Sequence, residues 1–285
     1  MENLAMRLPA AIRQLPPLSE ALVAALEVIR DANSERSDLV KVLSLDQGMT
    51  GLFLRTVNSA YYGLPRRITS LNEAIGYLGY DTVESTIFAI SASKVLSKPI
   101  PAYQLEKGML WEHSVAVAHG AQWIARSRGL PGESDYYVAG LLHDVGKLVM
   151  DLLVDSESTW VTAMERRDDN QSWVEVERLN TGHDHAEVGA VLARSWNLPD
   201  QVIEAIACHH APSEAQTALD VTAAVHVANA AALMAGIGLG VDGLAYTMSE
   251  AAVDRLQWVD ADMEDLIGSI QQAVAAAKTV LAISD

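Results

Sequence analysis

Apolar residues recur along most of this chain with the period of an α-helix. In LSEALVAALEVIRDA, Leu18, Leu22, Ala25, Leu26 and Ile29 fall on one stripe, the spacing of a helix that buries one face. SDLVKVLSL follows, with Ser37 or Asp38 expected as its cap, and TGLFLRTVNSAYYG predicts a third helix ending near Gly63. SLNEAIGYLG carries Ser70 and Glu73 at capping-box spacing and should stop at Gly79 in a left-handed turn. DTVESTIFAISASKVL predicts a fifth helix, and then LSKPIPAY intervenes. Pro99 and Pro101 cannot both lie inside a helix, so a domain boundary is expected near residue 102, separating 1–102 from 103–285. Helical patterns resume over 105–129 and 133–154, then over about 157–179, 184–196, 200–210, 214–236 and 249–283. No alternating strands joined by hairpin turns are visible, so the expected fold class is all-α.

Composition narrows the field. Half of the 285 residues are apolar, enough for a folded core, yet no apolar run has the length of a bilayer span. The N-terminal MENLAMRLPAAIRQLPPLSE lacks the basic start and apolar block of a secretory signal, and the single Cys208 allows no internal disulfide; a reducing cytoplasm is the expected home. Lys and Arg number 20 against 37 Asp and Glu, a net charge of −17. Such a surface repels phosphate backbones, so direct nucleic-acid binding is not expected, although a local basic patch is compatible with it.

All eight histidines lie beyond the expected boundary at residue 102, within 103–285. Imidazole combined with carboxylate suits first-row divalent metals. In AGLLHDVGKLVMD, His143 and Asp144 are adjacent, and Lys147 lies one turn on, on the same helical face. Lys147 can be read as a simple partner of Asp144 or as a cation for a metal-held phosphate. His209 and His210 form a second adjacent pair, and His185 precedes Gly189 by one turn, where a missing side chain admits a close neighbour. Taken alone, His113 on its apolar face reads as a core residue. His119, His183 and His226 point elsewhere and are read as structural.

The ordered series His113, His143–Asp144, His185 and His209–His210 resembles the HD superfamily of metal-dependent phosphohydrolases. LPPLSEAL, LRTVNSAYYG, ITSLNEAIGYLG, AGLLHDVGKLV and HAEVGAVLARSWNLPDQVIEAIACHH are closer still to one branch, the HDOD domain, over roughly residues 12–235. The resemblance implies an N-terminal helical bundle followed by an HD-like helical bundle, and a bacterial signalling or regulatory role exercised through protein partners. It implies His113, His143 and Asp144 as metal ligands, with His185, His209 and His210 matching the further ligands of the HD-GYP branch and Lys147 the lysine that contacts phosphate there. One or two divalent ions (Fe, Mn, Zn or Mg) would then be held.

Two departures weigh against catalysis. Where the pattern ends its ligand set with an aspartate, HVANAAAL offers Asn229, a weaker ligand without charge. After His210 the chain has Ala211 rather than a glutamate, and the Gly-Tyr-Pro segment is absent, which argues against cyclic di-GMP hydrolysis. Asn58, Ser59, Tyr61 and Tyr62 of NSAYYG are read either as a helix end with core aromatics or as an interaction surface. Three functions therefore stand side by side: a stand-alone HDOD signalling protein, a metal-dependent phosphohydrolase acting on a phosphodiester or nucleotide, and a metal or anion site that does not turn over. The apolar face of DLIGSIQQAVAAAKTVLAI could also serve a homodimer.

Overall fold

The computed structural model describes residues 4–59, 62–154, 163, 171–242 and 246–281. Among these residues the fold is all-α, with no strand. Fifteen helices follow in order: α1 Leu4–Ile12, α2 Glu20–Arg30, α3 Arg36–Ser44, α4 Gln47–Val57, α5 Leu71–Leu78, α6 Tyr80–Leu96, α7 Met109–Ser127, α8 Glu133–Leu142, α9 Gly146–Leu153, α10 Trp173–Thr181, α11 His185–Ser195, α12 Asp200–Cys208, α13 Leu219–Met234, α14 Glu250–Leu256 and α15 Asp260–Leu281. The chain divides into two compact units, one of residues 1–16 and 95–271, the other of 17–94 and 272–285.

The 17–94 part is a helical bundle whose core holds Leu22, Leu26, Leu39, Leu43, Phe53, Val57, Ile75, Ile87 and Phe88. Several local expectations need correction. α3 is capped by Glu35, not by Ser37 or Asp38; Asp38 instead accepts from the Glu35 main-chain N–H at 3.1 Å. Ser70 caps α5 as expected, but Glu73 makes its ion pair with Arg66. Gly79 has the positive φ of 77°, with an extended ψ of 168° rather than a left-handed turn. The third predicted helix ends at Val57 because Asn58 caps it: its amide donates to Leu54 O (2.6 Å) and Ile68 O (2.7 Å), and its Oδ1 accepts from Ile68 N (2.7 Å). This staple ties the following loop back onto α4. Tyr62 is half-buried and bonds Thr86 at 2.6 Å, and burial pushes its phenol up to about 12. Both residues thus follow the structural reading, while Tyr61 lies outside the described residues.

In the larger unit α13 is the central helix. Every residue from Val221 to Ala232 is buried, which accounts for a sequence apolar on all sides. α7 packs beside both α8 and α13. A Cβ at Gly140 would stand 2.8 Å from Ala118 Cα and Val117 O, so glycine is what lets α7 and α8 approach. The predicted helix over 133–154 is two helices, α8 and α9, joined through His143–Val145. The 249–283 pattern is likewise broken, at Gln257 with φ of 50°, and 105–129 turns helical only after Gly108 with φ of 88°. α10 begins at Trp173, and the earlier part of the 157–179 prediction lies largely outside the described residues. α1 was not expected; it packs against α9. Leu266 and Ile270 of α15 are fully buried in their own chain.

Candidate metal centre

The α8–α9 junction sets the chemistry. Gly146 opens α9 directly against α11: a Cβ there would strike His185 O and stand 2.7 Å from Gly189 N. Two glycines, one on each helix, therefore bring the His143–Asp144 turn next to His185, as the spacing of His185 and Gly189 anticipated. Asp184 caps α11 through Glu187 N at 2.8 Å and is held by Arg178 at 2.6 Å, which fixes His185 at the first helical position.

Asp144 is the hub. Its Oδ2 lies 3.4 Å from His143 Nε2 and 3.6 Å from His113 Nε2, and its Oδ1 lies 3.2 Å from His185 Nε2 and 3.8 Å from His209 Nε2. His210 Nε2 is 2.9 Å from His185 Nε2. Two donor sets result, His113–His143–Asp144 and Asp144–His185–His209–His210, each with its ligand atoms within 4.8 Å of one another and with Asp144 common to both.

Three of the rings are aimed by the same device. His113, His143 and His209 place Nδ1 3.0, 2.8 and 2.8 Å from the carbonyls of Ile237, Gly140 and Ile206. A carbonyl only accepts, so Nδ1 carries the proton and Nε2 presents a bare lone pair. His143 Nε2 and His209 Nε2 are buried and have no hydrogen-bond partner, as is Asn229 Oδ1. Burial pulls His113 down to about 4, and burial with neighbouring imidazoles holds His209 and His210 well below the usual range. Neutral rings are what a cation requires. With metal–ligand bonds of about 2.0–2.2 Å, ligand atoms around one ion stand roughly 3–4 Å apart, and the separations here match. Nitrogen and carboxylate donors of this kind suit a first-row divalent ion.

His185 is aimed differently. Its Nδ1 donates to Glu177 Oε2 at 2.7 Å, and its main-chain N–H donates to the same oxygen at 2.8 Å. Glu177, wholly buried, also accepts from Tyr103 Oη at 2.6 Å and Trp173 Nε1 at 2.9 Å. Burial opposes a charge on His185, but Glu177 and Asp144 outweigh it and raise the imidazole to about 10. A positive charge belongs at this point, whether as a proton or as an ion.

Lys147 lies in the same unit and is held between two carboxylates. Its Nζ is 2.6 Å from Asp144 Oδ2 and 2.6 Å from Asp242 Oδ2, and sits 5.6 Å above the Tyr103 ring. Burial opposes the charge, yet the two carboxylates hold the ammonium above its ordinary range. Asp242 belongs to a strap after α13. Ile237 O receives the His113 bond, Val241 N donates to Tyr103 O at 3.1 Å, and Gly238 lies so close to the His113 ring that a Cβ there would stand 2.9 Å from its Cγ. A cavity of about 260 Å³ remains beside the ring, bordered by His113, Asp144, His210, Asn229, Asp242 and Tyr246.

The structure thus brings together all eight residues singled out from the sequence: His113, His143, Asp144, Lys147, His185, His209, His210 and, at the cavity wall, Asn229. The three remaining histidines take other roles. His119 stacks edge-on against Tyr137, and His183 pairs with Glu187. His226 spends Nδ1 on His209 O at 2.7 Å and accepts from Ser249 N at Nε2 at 2.9 Å, so neither nitrogen is free to ligate. Sequence reasoning missed Glu177 and Asp242. Glu177 carried a signal, since it falls between Trp173 and Thr181 on a buried stripe; Asp242, in an aperiodic loop, carried none.

Comparison with known proteins agrees with this layout. A signal-transduction protein, so classed provisionally, from Marinobacter aquaeolei VT8 superposes with a TM-score of 0.76 at 20% identity, over 97% of this chain and 65% of that one. An HDOD domain protein of unknown function from Geobacter sulfurreducens gives 0.70 at 23% identity, over 98% and 93%. At these identities the likeness shows the fold. A Treponema pallidum (strain Nichols) protein of uncharacterised role is 27% identical over 209 residues, 73% of this chain and 40% of its own length, so the chain spans less than half of that relative. The HDOD domain model matches residues 15–212, a span that ends just past His209–His210 and leaves Asn229 and the strap beyond it. With most of the chain inside that match and the matched fold around its histidines, the chain belongs to the HDOD domain family.

Proposed function

We propose that this chain is a signalling protein that acts through protein partners and keeps its histidine ring as a structural or sensing ion site without phosphodiester turnover. The observation that carries the reading is the engagement of Lys147. Lys147, the lysine that follows the His143–Asp144 pair, is already neutralised by Asp144 and Asp242, each at 2.6 Å. An incoming phosphate would meet this ammonium with two carboxylates already beside it, and would either face their like charge or displace one of them, which for the buried Asp144 costs several kcal/mol. Asn229 weighs the same way, since it adds an amide where a carboxylate would strengthen the grip on a hard cation.

His113, His143, Asp144, His185, His209 and His210 would hold one or two divalent ions. A bound ion would join α7, α11, the end of α12 and the α8–α9 turn at one point, and would also acidify any water it held. Binding at a site assembled only in the folded state stabilises the fold. Ion occupancy would in this way set the rigidity of the domain that partners meet.

The test is elemental analysis of protein purified without chelator, followed by assay against bis-p-nitrophenyl phosphate and a nucleotide panel. Close to one or more ions per chain with no turnover is the expected result. Turnover that disappears in His143→Ala would overturn it and establish the second reading, a metal-dependent phosphohydrolase, which the converging donor set by itself would favour. Protein devoid of metal and unable to take it up would overturn both.

A further inference from the structure

A cluster of positive charge away from the histidine ring lies in the 17–94 unit. An open groove of about 790 Å³ runs between the end of α4 and the segment 64–69. Arg55, Arg66 and Arg67 line it, and none of its lining residues is acidic. In a chain of net charge −17 this is a local reversal of sign. Arg66 is shared with Glu73, whereas Arg55 and Arg67 are exposed at the rim.

Three further features make this a built groove rather than a scatter of arginines. Leu54, Leu64 and Ile68 give it an apolar floor. The Asn58 staple, with bonds of 2.6, 2.7 and 2.7 Å to Leu54 and Ile68, fixes its two walls against each other. Ser59 lines it with a buried hydroxyl that has no hydrogen-bond partner. A buried hydroxyl without a partner is costly, and a rotation of the Ser59 side chain would bring it to a ligand oxygen.

We propose that this groove binds a compact phosphorylated ligand of nucleotide size. Arg55 and Arg67 would hold its phosphate, Ser59 would bond one of its oxygens, and the apolar floor would carry its body. Guanidinium forks match phosphate geometry two bonds at a time, and the volume lies in the range of small-ligand sites. The overall charge selects a small ligand over a long polyanion. Within about a Debye length of 8–10 Å, a compact anion feels the arginines, whereas a nucleic acid or an extended acidic peptide would run on over repelling surface.

The experiment is equilibrium dialysis and calorimetry of the full chain with AMP, ADP, ATP, GMP, GDP, GTP and inorganic phosphate, and with a glutamate-rich peptide as the polyanion control. The expected result is saturable one-to-one binding of at least one nucleotide. That binding should weaken with salt, fall at least tenfold in Arg55→Gln/Arg67→Gln, and persist in His143→Ala. Both arginines are exposed, so the double variant should melt with the parent, and circular dichroism verifies it. Absence of nucleotide binding, an affinity unchanged in the double variant, or preference for the peptide would overturn the proposal. Loss of binding in His143→Ala alone would also overturn it, because the ligand would then occupy the histidine ring. None of these outcomes depends on whether the ring holds an ion.

Discussion

Glu177 accepts the Nδ1 proton of His185 at 2.7 Å and so turns the opposite ring nitrogen toward Asp144, 3.2 Å away. A carboxylate behind an imidazole fixes its tautomer and raises its basicity as a ligand. Glu177→Gln keeps the size but pits amide hydrogens against the two N–H groups of His185. Affinity for the ion should drop by about 10–100-fold, read by competition with a chromogenic chelator, while His183→Gln, on the same segment but outside the ring, leaves it unchanged.

Asn229→Asp should act in opposite directions with and without metal. It adds a carboxylate to a cavity that already holds Asp144 and Asp242. Without metal, like charge and burial should lower the melting temperature. With manganese or magnesium present, the added ligand should tighten binding by roughly tenfold, about 1.4 kcal/mol. Melting curves in chelator and in excess ion make the comparison; a shift of the same sign in both would show that residue 229 does not face the ion.

Gly146→Ala tests the helix contact that assembles the ring. Its methyl group would meet the His185 carbonyl and the Gly189 backbone, neither of which is a flexible side chain. A loss of about 1–3 kcal/mol or more is expected in urea unfolding, together with weakened ion binding. Gly268→Ala supplies the contrast, since its Cβ would meet nothing within 4 Å in α15. It should be neutral, or stabilising by up to about 1 kcal/mol.

His119 sets a pH dependence separate from the ring. Burial lowers its imidazole from 6.5 to about 4. The unfolded chain therefore takes up a proton at higher pH than the folded one does. The stability gained from keeping His119 neutral is complete above about 6.5 and is lost as pH falls toward 4. Between pH 7 and pH 5 this amounts to about 1–2 kcal/mol. In His119→Gln, the fall in unfolding free energy over that interval should be smaller by this amount; an unchanged slope would place the acid sensitivity elsewhere.

Much of this architecture could be read from the chain because burial on one side leaves a periodic trace. The stripe Leu22, Ala25, Leu26 is wholly or nearly buried, as its spacing implied. The ends of helices were harder. The α8–α9 join is hard to read because its backbone stays close to helical, with His143 at φ −53° and ψ −37°, and its sole mark is Gly146, a residue that helices tolerate. The break at Gln257 depends on a positive φ in a residue that rarely adopts one. Site residues followed the same division. Histidines announced themselves by type and order, whereas Asp242 is an ordinary loop aspartate until tertiary structure sets it 2.6 Å from Lys147.

The strap from Ile237 to Asp242 has a consequence for time rather than for affinity. It is fastened at three points, to His113, Tyr103 and Lys147. An ion entering or leaving the ring on the strap side must wait for these fastenings to part together, so exchange on that side would follow the frequency of a local opening and level off with concentration. Exchange would therefore run mainly through the cavity side, where His113, Asp144 and His210 border open volume. The strap would give the ring one slow face and one fast face, and the rate at which a chelator strips the ion would report on the fast one.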